Sequence, residues 1–334
     1  MKSIVKRGIH FLSNRTNKVM DRLFERKYPL LNPLYRYWMV NANGVLGVVY
    51  MLHRVADFEN ERLLSTEDLK VTPFFLESVI TQYKKQGFDF YSLDQISEYL
   101  DGKRLITKPF VSFTLDDGYL DNYTNAYPVF KRNQVPFCVY VATDFIDKKA
   151  ILWWYSVEDL ILGQSQIKIN DGTVFSCISR QEKWDTFRIL REKILRLNQD
   201  DLFNELNHLF SGYTIDWYAP VRSKAMSWEQ VELMSKDSLC TIGGHTVSHS
   251  ALSHLSYIQL THEIKDSLSL IESHIHQPVQ HFSYPYGSTL EVGEREFSLM
   301  ENMDIHTAFC SHGGCFTKEQ RRKVDLPRVM LHQK

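Results

Sequence analysis

Short apolar runs and amphipathic stretches alternate along most of this chain. From residue 44 onward, β-rich apolar runs recur at 45–52, 110–115, 137–142, 240–243, 282–284, 307–310 and 329–331. Almost every position in them is apolar, as expected for strands covered on both faces. Helical spacing predicts helices between them, over 73–87, 122–133, 227–235 and 256–275. Thr72-Pro73 opens the first, because threonine caps and proline tolerates the first turn, and Gly87 stops it. Near-continuous apolar strands joined by helices predict an α/β fold with a parallel sheet. Polar residues follow these strands at once: His53, Asp116-Asp117, Asp144, His245 and Pro285-Tyr286. Chemistry gathered at the C-terminal ends of parallel strands is the habit of β/α barrel enzymes.

Two segments depart from this rhythm. Residues 156–225 are charged, with helical patterns at 181–197 and 200–210 and no clear strand, and read as a helical insertion. The first 40 residues hold nine Lys or Arg against two Asp or Glu, a local charge of +7, which leaves −8 for the rest. They read as a basic helical segment ahead of a barrel spanning 41–334. Val5, Ile9, Leu12, Val19 or Met20, and Leu23 lie near helical spacing, with Lys6, Arg7, Arg15, Lys18, Arg22 and Arg26 largely off that stripe. This predicts an amphipathic helix over 3–26 that either packs on the barrel or touches an anionic membrane surface.

Composition narrows the class. The chain has 334 residues, 43% hydrophobic and 24% charged, enough for a sizeable core. A net charge of −1 excludes nucleic-acid binding by bulk electrostatics. Aromatics reach 13%, which fits a sugar-binding groove and fits a core even better. Five scattered cysteines without a CxxC pair argue against a disulfide framework and for a reducing compartment. Cys310 and Cys315 bracket His312 in a glycine-rich stretch that reads as a loop rather than a metal site. No signal-peptide pattern and no long apolar stretch is visible, so the expected location is cytoplasmic, at most peripheral at the inner membrane face.

Three short motifs carry candidate chemistry. Asp116-Asp117-Gly118 sets two carboxylates side by side, and a divalent metal would offset their charge. Alone, such a triplet is more often a turn. His245 and His249 at i and i+4 would face the same way on a helical turn and could clamp one metal. Tyr284-Pro285-Tyr286-Gly287 reads as a rigid loop able to present backbone N–H groups.

Taken in this order, each after a strand, the three motifs resemble the polysaccharide deacetylase family (NodB homology, carbohydrate esterase family 4). Tyr50-Met51-Leu52-His53-Arg54-Val55, Trp153-Trp154, Met226-Ser227-Trp228-Glu229 and Leu326-Pro327-Arg328 extend the resemblance over roughly 45–334. It implies a distorted, NodB-like β/α barrel of seven or eight strands. It also implies a hydrolase that removes an acetyl group from an N-acetylated amino sugar of a glycan or glycan precursor. By motif, Asp116 would be the general base and Asp117, His245 and His249 the ligands of a divalent metal. Zinc comes first, with cobalt, nickel or manganese as alternatives. Backbone at Tyr286 would complete the oxyanion hole. His332, in Met330-Leu331-His332, matches a late catalytic histidine, and His53 is a second candidate at the pocket. Two departures stand out. Ser283 occupies the place where the family usually has an arginine that orients the base, and no Asp/Trp motif is clean between Gly287 and His306. A deformylase or deacetylase of a lipid-linked or nucleotide sugar is the alternative enzyme, and a carbohydrate-binding homologue with weakened catalysis is the rival reading.

Overall fold

The computed structural model describes residues 44–333. The basic segment over 1–40 and its amphipathic helix lie outside the described residues. Nine strands form one sheet: β1 Val45–Leu52, β2 Asp89–Phe90, β3 Phe110–Leu115, β4 Phe137–Val141, β5 Cys240–Gly244, β6 His281–Ser283, β7 Thr307–Phe309, β8 Phe316–Thr317 and β9 Val329–Met330. The order β7-β6-β5-β4-β3-β1 is parallel throughout, and β8 joins β1 antiparallel. This is the curled, mostly parallel sheet that the apolar runs predict. β3 is buried at every position, and β1 at all but its first, because helices cover the outer face and side chains fill the inner one.

One short segment links the sheet's two edges. Leu326 bridges to Phe309 of β7, while Val329 and Met330 pair with Tyr50 and Met51 of β1. Residues 326–330 therefore pass between β7 and β1, with Arg328 at their centre.

The principal helices are α1 Pro73–Lys85, α2 Leu93–Leu100, α3 Tyr127–Asn133, α4 Trp153–Gly163, α5 Arg180–Leu195, α6 Leu202–Leu209, α7 Trp228–Ser235, α8 Tyr257–Ile275 and α9 Glu294–Glu301. Their starts are set by local chemistry. Thr72 Oγ1 accepts from the Phe75 amide, and Ser227 and Gln230 form a reciprocal capping box. α2, α4 and α9 lie outside the helices that the spacing predicts.

Residues 156–225 contain a feature the sequence reading left out. Gln166–Lys168 and Val174–Ser176 pair as an antiparallel hairpin beside α5. Two-residue and three-residue strands carry too few alternations to show a period of two. The segment packs with Leu63 and Trp153 into one core, in which Trp153, Val157, Phe187, Leu190, Ile194 and Trp217 are fully or almost fully buried.

Candidate active site

The end of β3 delivers Asp116 and Asp117, both almost fully buried. The end of β5 delivers His245. Glycines at 243 and 244 make this possible. A Cβ on Gly243 would sit 2.5 Å from the Tyr140 ring, so only glycine lets β5 pack this closely on β4. His249 follows on a loop, and here the sequence expectation fails. Residues 245–250 are not helical, and Thr246 and His249 adopt left-handed backbone, φ 68° and 61°. α8 sets that shape: Glu263 accepts from the amides of Val247 and Ser248 at 3.0 and 2.9 Å and from the Ser248 hydroxyl at 2.6 Å. Thr246 Oγ1 accepts from the His249 amide at 3.0 Å. The histidines meet through this strained turn, not through helical periodicity.

Asp117, His245 and His249 converge. Their ligand atoms lie within 4.8 Å of one another, with Nε2 of His245 and His249 at 3.3 and 3.2 Å from Asp117 Oδ1. Those separations are close to the edge of a tetrahedron with bonds of about 2.1 Å, the usual zinc–nitrogen length. Asp117 Oδ1 is buried and accepts no hydrogen bond, which is costly unless a cation takes it. His245 Nδ1 donates to the Ser283 carbonyl at 2.6 Å, which fixes the tautomer and turns the Nε2 lone pair toward Asp117. The donor set, two imidazoles and a carboxylate, suits a divalent transition metal and leaves further coordination positions open. Burial pushes the Asp117 carboxyl up, but His249 and His245 outweigh it and hold it well below the usual range. His245 is raised for the reciprocal reason, its burial being outweighed by Asp117 and Asp116.

Asp116 faces a different partner. Arg328, 1% exposed, grips it with both ends of its guanidinium, at 2.6 Å to Oδ1 and 2.7 Å to Oδ2. The Ser283 hydroxyl donates to Asp116 Oδ2 at 3.2 Å and accepts from Arg328 at 2.6 Å. Thr114 accepts a further Arg328 bond at 3.0 Å. Burial raises the Asp116 pKa, yet Arg328 and His245 keep it below the usual value, so the carboxylate is ionised. Arg328 is the residue the sequence reading left without a role. The signal was present: a single arginine inside the apolar stretch Leu326-Pro327-Arg328-Val329-Met330-Leu331 needs an anion when buried.

The remaining candidates line the same cleft, a cavity of about 500 Å³. His53 is there with its Nδ1 buried and unpaired, and burial lowers its pKa against the pull of Asp117 and Asp116. His332 is there too, because Leu331 donates to the Met51 carbonyl at 2.9 Å and ties the chain end to β1. Tyr286 sits at φ 58°, its ring 4.8 Å from that of His249. The Ser311 hydroxyl donates to the Tyr286 carbonyl, and the Ser311 amide donates to Gly287 O at 2.8 Å. A Cβ on Gly287 would meet that amide at 2.8 Å, so the loop needs glycine there. Asp144, although it follows a strand, does not line the cleft; burial first, and the Glu263 charge second, push its carboxyl up. Cys310, His312 and Asp325 form a second cluster outside the cleft, where Asp325 Oδ1 already serves both partners. The insertion adds Trp184, Arg188 and Arg191 to the cleft wall, none of which the sequence reading singled out.

The profile of the polysaccharide deacetylase family matches residues 104–303. The chain belongs to this family and is a carbohydrate deacetylase. Solved structures share the fold. The Streptococcus pyogenes deacetylase PplD, solved with acetate, is 16% identical, with a TM-score of 0.57 over 85% of this chain and 92% of that one. IcaB from Ammonifex degensii is 17% identical, TM-score 0.53, over 86% and 92%. The deacetylase domain of BpsB from Bordetella bronchiseptica is 15% identical, TM-score 0.51, over 86% and 96%. No curated protein sequence matches the chain.

Proposed function

We propose that this protein removes the acetyl group from an N-acetylated amino sugar of a glycan or glycan precursor, with a divalent metal at Asp117, His245 and His249. The observation that carries the reading is the division of labour between adjacent carboxylates. Asp117 is left open toward two histidines, while Asp116 is ionised and locked by Arg328. A cation held by the first group would polarise the acyl carbonyl and lower the pKa of a water. Asp116 then takes the proton as the water attacks. The Tyr286 backbone amide steadies the oxyanion, a contribution of about 3–4 kcal/mol for a good donor. His332 or His53 returns a proton to the leaving amine. Zinc fits the donor set best, with cobalt, nickel or manganese as alternatives. The basic residues beside the apolar spacing in 3–26 support peripheral contact with anionic lipid at the cytoplasmic face, which would bring a lipid-linked sugar to the cleft.

The test combines metal analysis with acetate release. Purified protein should hold one equivalent of metal, lost with a chelator and lost in His249→Ala. Asp116→Asn should retain the metal and lose at least about a hundredfold in turnover. If Asp116→Asn loses the metal, Asp116 is a ligand and the assignment is wrong.

A further inference from the structure

The helix α5 presents one face to the cleft. Trp184, Phe187, Arg188 and Arg191 line it at spacings of three, four and seven, the period of a single helical stripe. The orientation is held by packing: Phe187 stacks near Trp153, with ring centroids 6.5 Å apart and planes at 22°, and Leu190 and Ile194 are fully buried in the same core. Two cations are thereby turned toward a site that already handles a carbonyl. Among the described residues Arg188 makes only an exposed contact of 3.3 Å to Asp185 on its own helix. Arg191 forms no hydrogen bond or ion pair among the described residues, and its charge reaches Tyr286. The cleft's acidic lining does not neutralise them. Asp116 is taken by Arg328, and Asp117 faces His245 and His249 in the candidate metal site, which leaves Asp68 as the other carboxylate of the wall. Opposite charge at such a position matches oxyanions, which arginine forks bind in pairs of hydrogen bonds. Trp154 adds a buried indole N–H without a partner beside the same space.

We propose that the cleft takes an N-acylated amino sugar carrying an oxyanion substituent, a phosphoryl or carboxylate group, which is seated on Arg188 and Arg191. The inference rests on the deacetylase reading of this cleft and names the class of glycan within it. The sugar ring lies between the metal centre and α5, near Trp184, and the charged group lies on the solvent side of it. A phosphoryl group could come from a nucleotide or a lipid carrier, and a carboxylate from a neighbouring uronate.

The experiment measures acetate release by the full chain from a neutral N-acetylglucosamine tetramer, from UDP-N-acetylglucosamine, from a polyprenyl diphosphate N-acetylglucosamine, and from an oligomer alternating N-acetylglucosamine with glucuronate. At least one charged substrate should exceed the neutral tetramer in kcat/KM by about tenfold, through KM, with the advantage shrinking as salt rises. Arg188→Gln with Arg191→Gln should erase most of that advantage, and Arg191→Glu alone should reverse it. Which charged substrate leads identifies the source of the anion. Equal losses on neutral and charged substrates, or a preference for the tetramer in the native protein, overturn the proposal and leave the deacetylase reading standing. Calorimetric titration of the same sugars into Asp116→Asn separates the two ideas. Arginine-dependent binding of a charged sugar without acetate release from any substrate would keep this inference and sink the hydrolytic one. Binding indifferent to both arginines sinks this one.

Discussion

Arg328 is a buried cation whose purpose can be read from its contacts. It satisfies both oxygens of Asp116 and shares Ser283 with them, so a carboxylate in an apolar interior stays charged and oriented. Losing one member of such a pair leaves an uncompensated charge, which costs about 3–5 kcal/mol. Arg328→Gln should therefore lower both the melting temperature and kcat. Ser283→Arg alone should also harm the protein, because Ser283 is fully buried and a second guanidinium would crowd the first. Exchanging the two, Ser283→Arg with Arg328→Ser, moves the cation to the place where the family usually carries it. The double variant should recover stability and part of the turnover lost in either single one. Acetate release and thermal melting check this. Turnover that rises in Ser283→Arg alone would mean that Arg328 does not suffice to position Asp116.

At the scale of elements, the turn that presents His249 depends on α8. Glu263 gathers three donors from that turn, and its charge also falls on Asp144. Burial first, and Glu263 second, push the Asp144 carboxyl up to about 6 from an ordinary 3.8. The folded state thus binds this proton more tightly than the unfolded chain does. Stability from it is complete below about pH 4 and is lost as pH rises toward about 6. Asp144→Asn removes the charge at every pH. Its melting temperature should exceed the native value above pH 6, and the gain should fade as pH drops to 4. A gain constant with pH would show that Asp144 is not the titrating group. At this scale the long strands were legible because strands covered on both faces are apolar throughout. Of the short strands, β6, β7 and β9 were legible as apolar runs, whereas β2, β8, the hairpin over 166–176 and the strained turn were not, because so few residues carry no period and left-handed backbone at Thr246 and His249 leaves no compositional mark.

At the scale of the whole molecule, the active site depends on barrel closure. Asp116 and Asp117 come from the third strand, His245 from the fifth, and Arg328 from the segment that joins the last strand to the first. Among the described residues no helix is long and apolar enough to cross a membrane. If the basic segment acts at a lipid surface, full-length protein should float with acidic liposomes at low salt, and a version lacking residues 1–27 should not. Each cation near acidic lipid contributes about 1 kcal/mol, so high salt should release it. Protein that stays soluble at low salt, or a shortened version that floats as well, ends that reading.

Periodicity and residue type along the chain were sufficient for the parallel sheet, the strand-end position of the chemistry and the family. These are local properties: burial on both faces, caps, and motifs a few residues long. The partner of Asp116 was beyond their reach. Arg328 lies 212 positions from Asp116, and only the closing of the sheet puts a guanidinium where Ser283 alone is too small to hold the Asp116 carboxylate. The same holds for α5, whose cationic face acquires meaning from the cleft it borders and not from its own sequence. A buried charge is tolerated only where a distant partner is delivered to it, and that delivery is decided by tertiary structure.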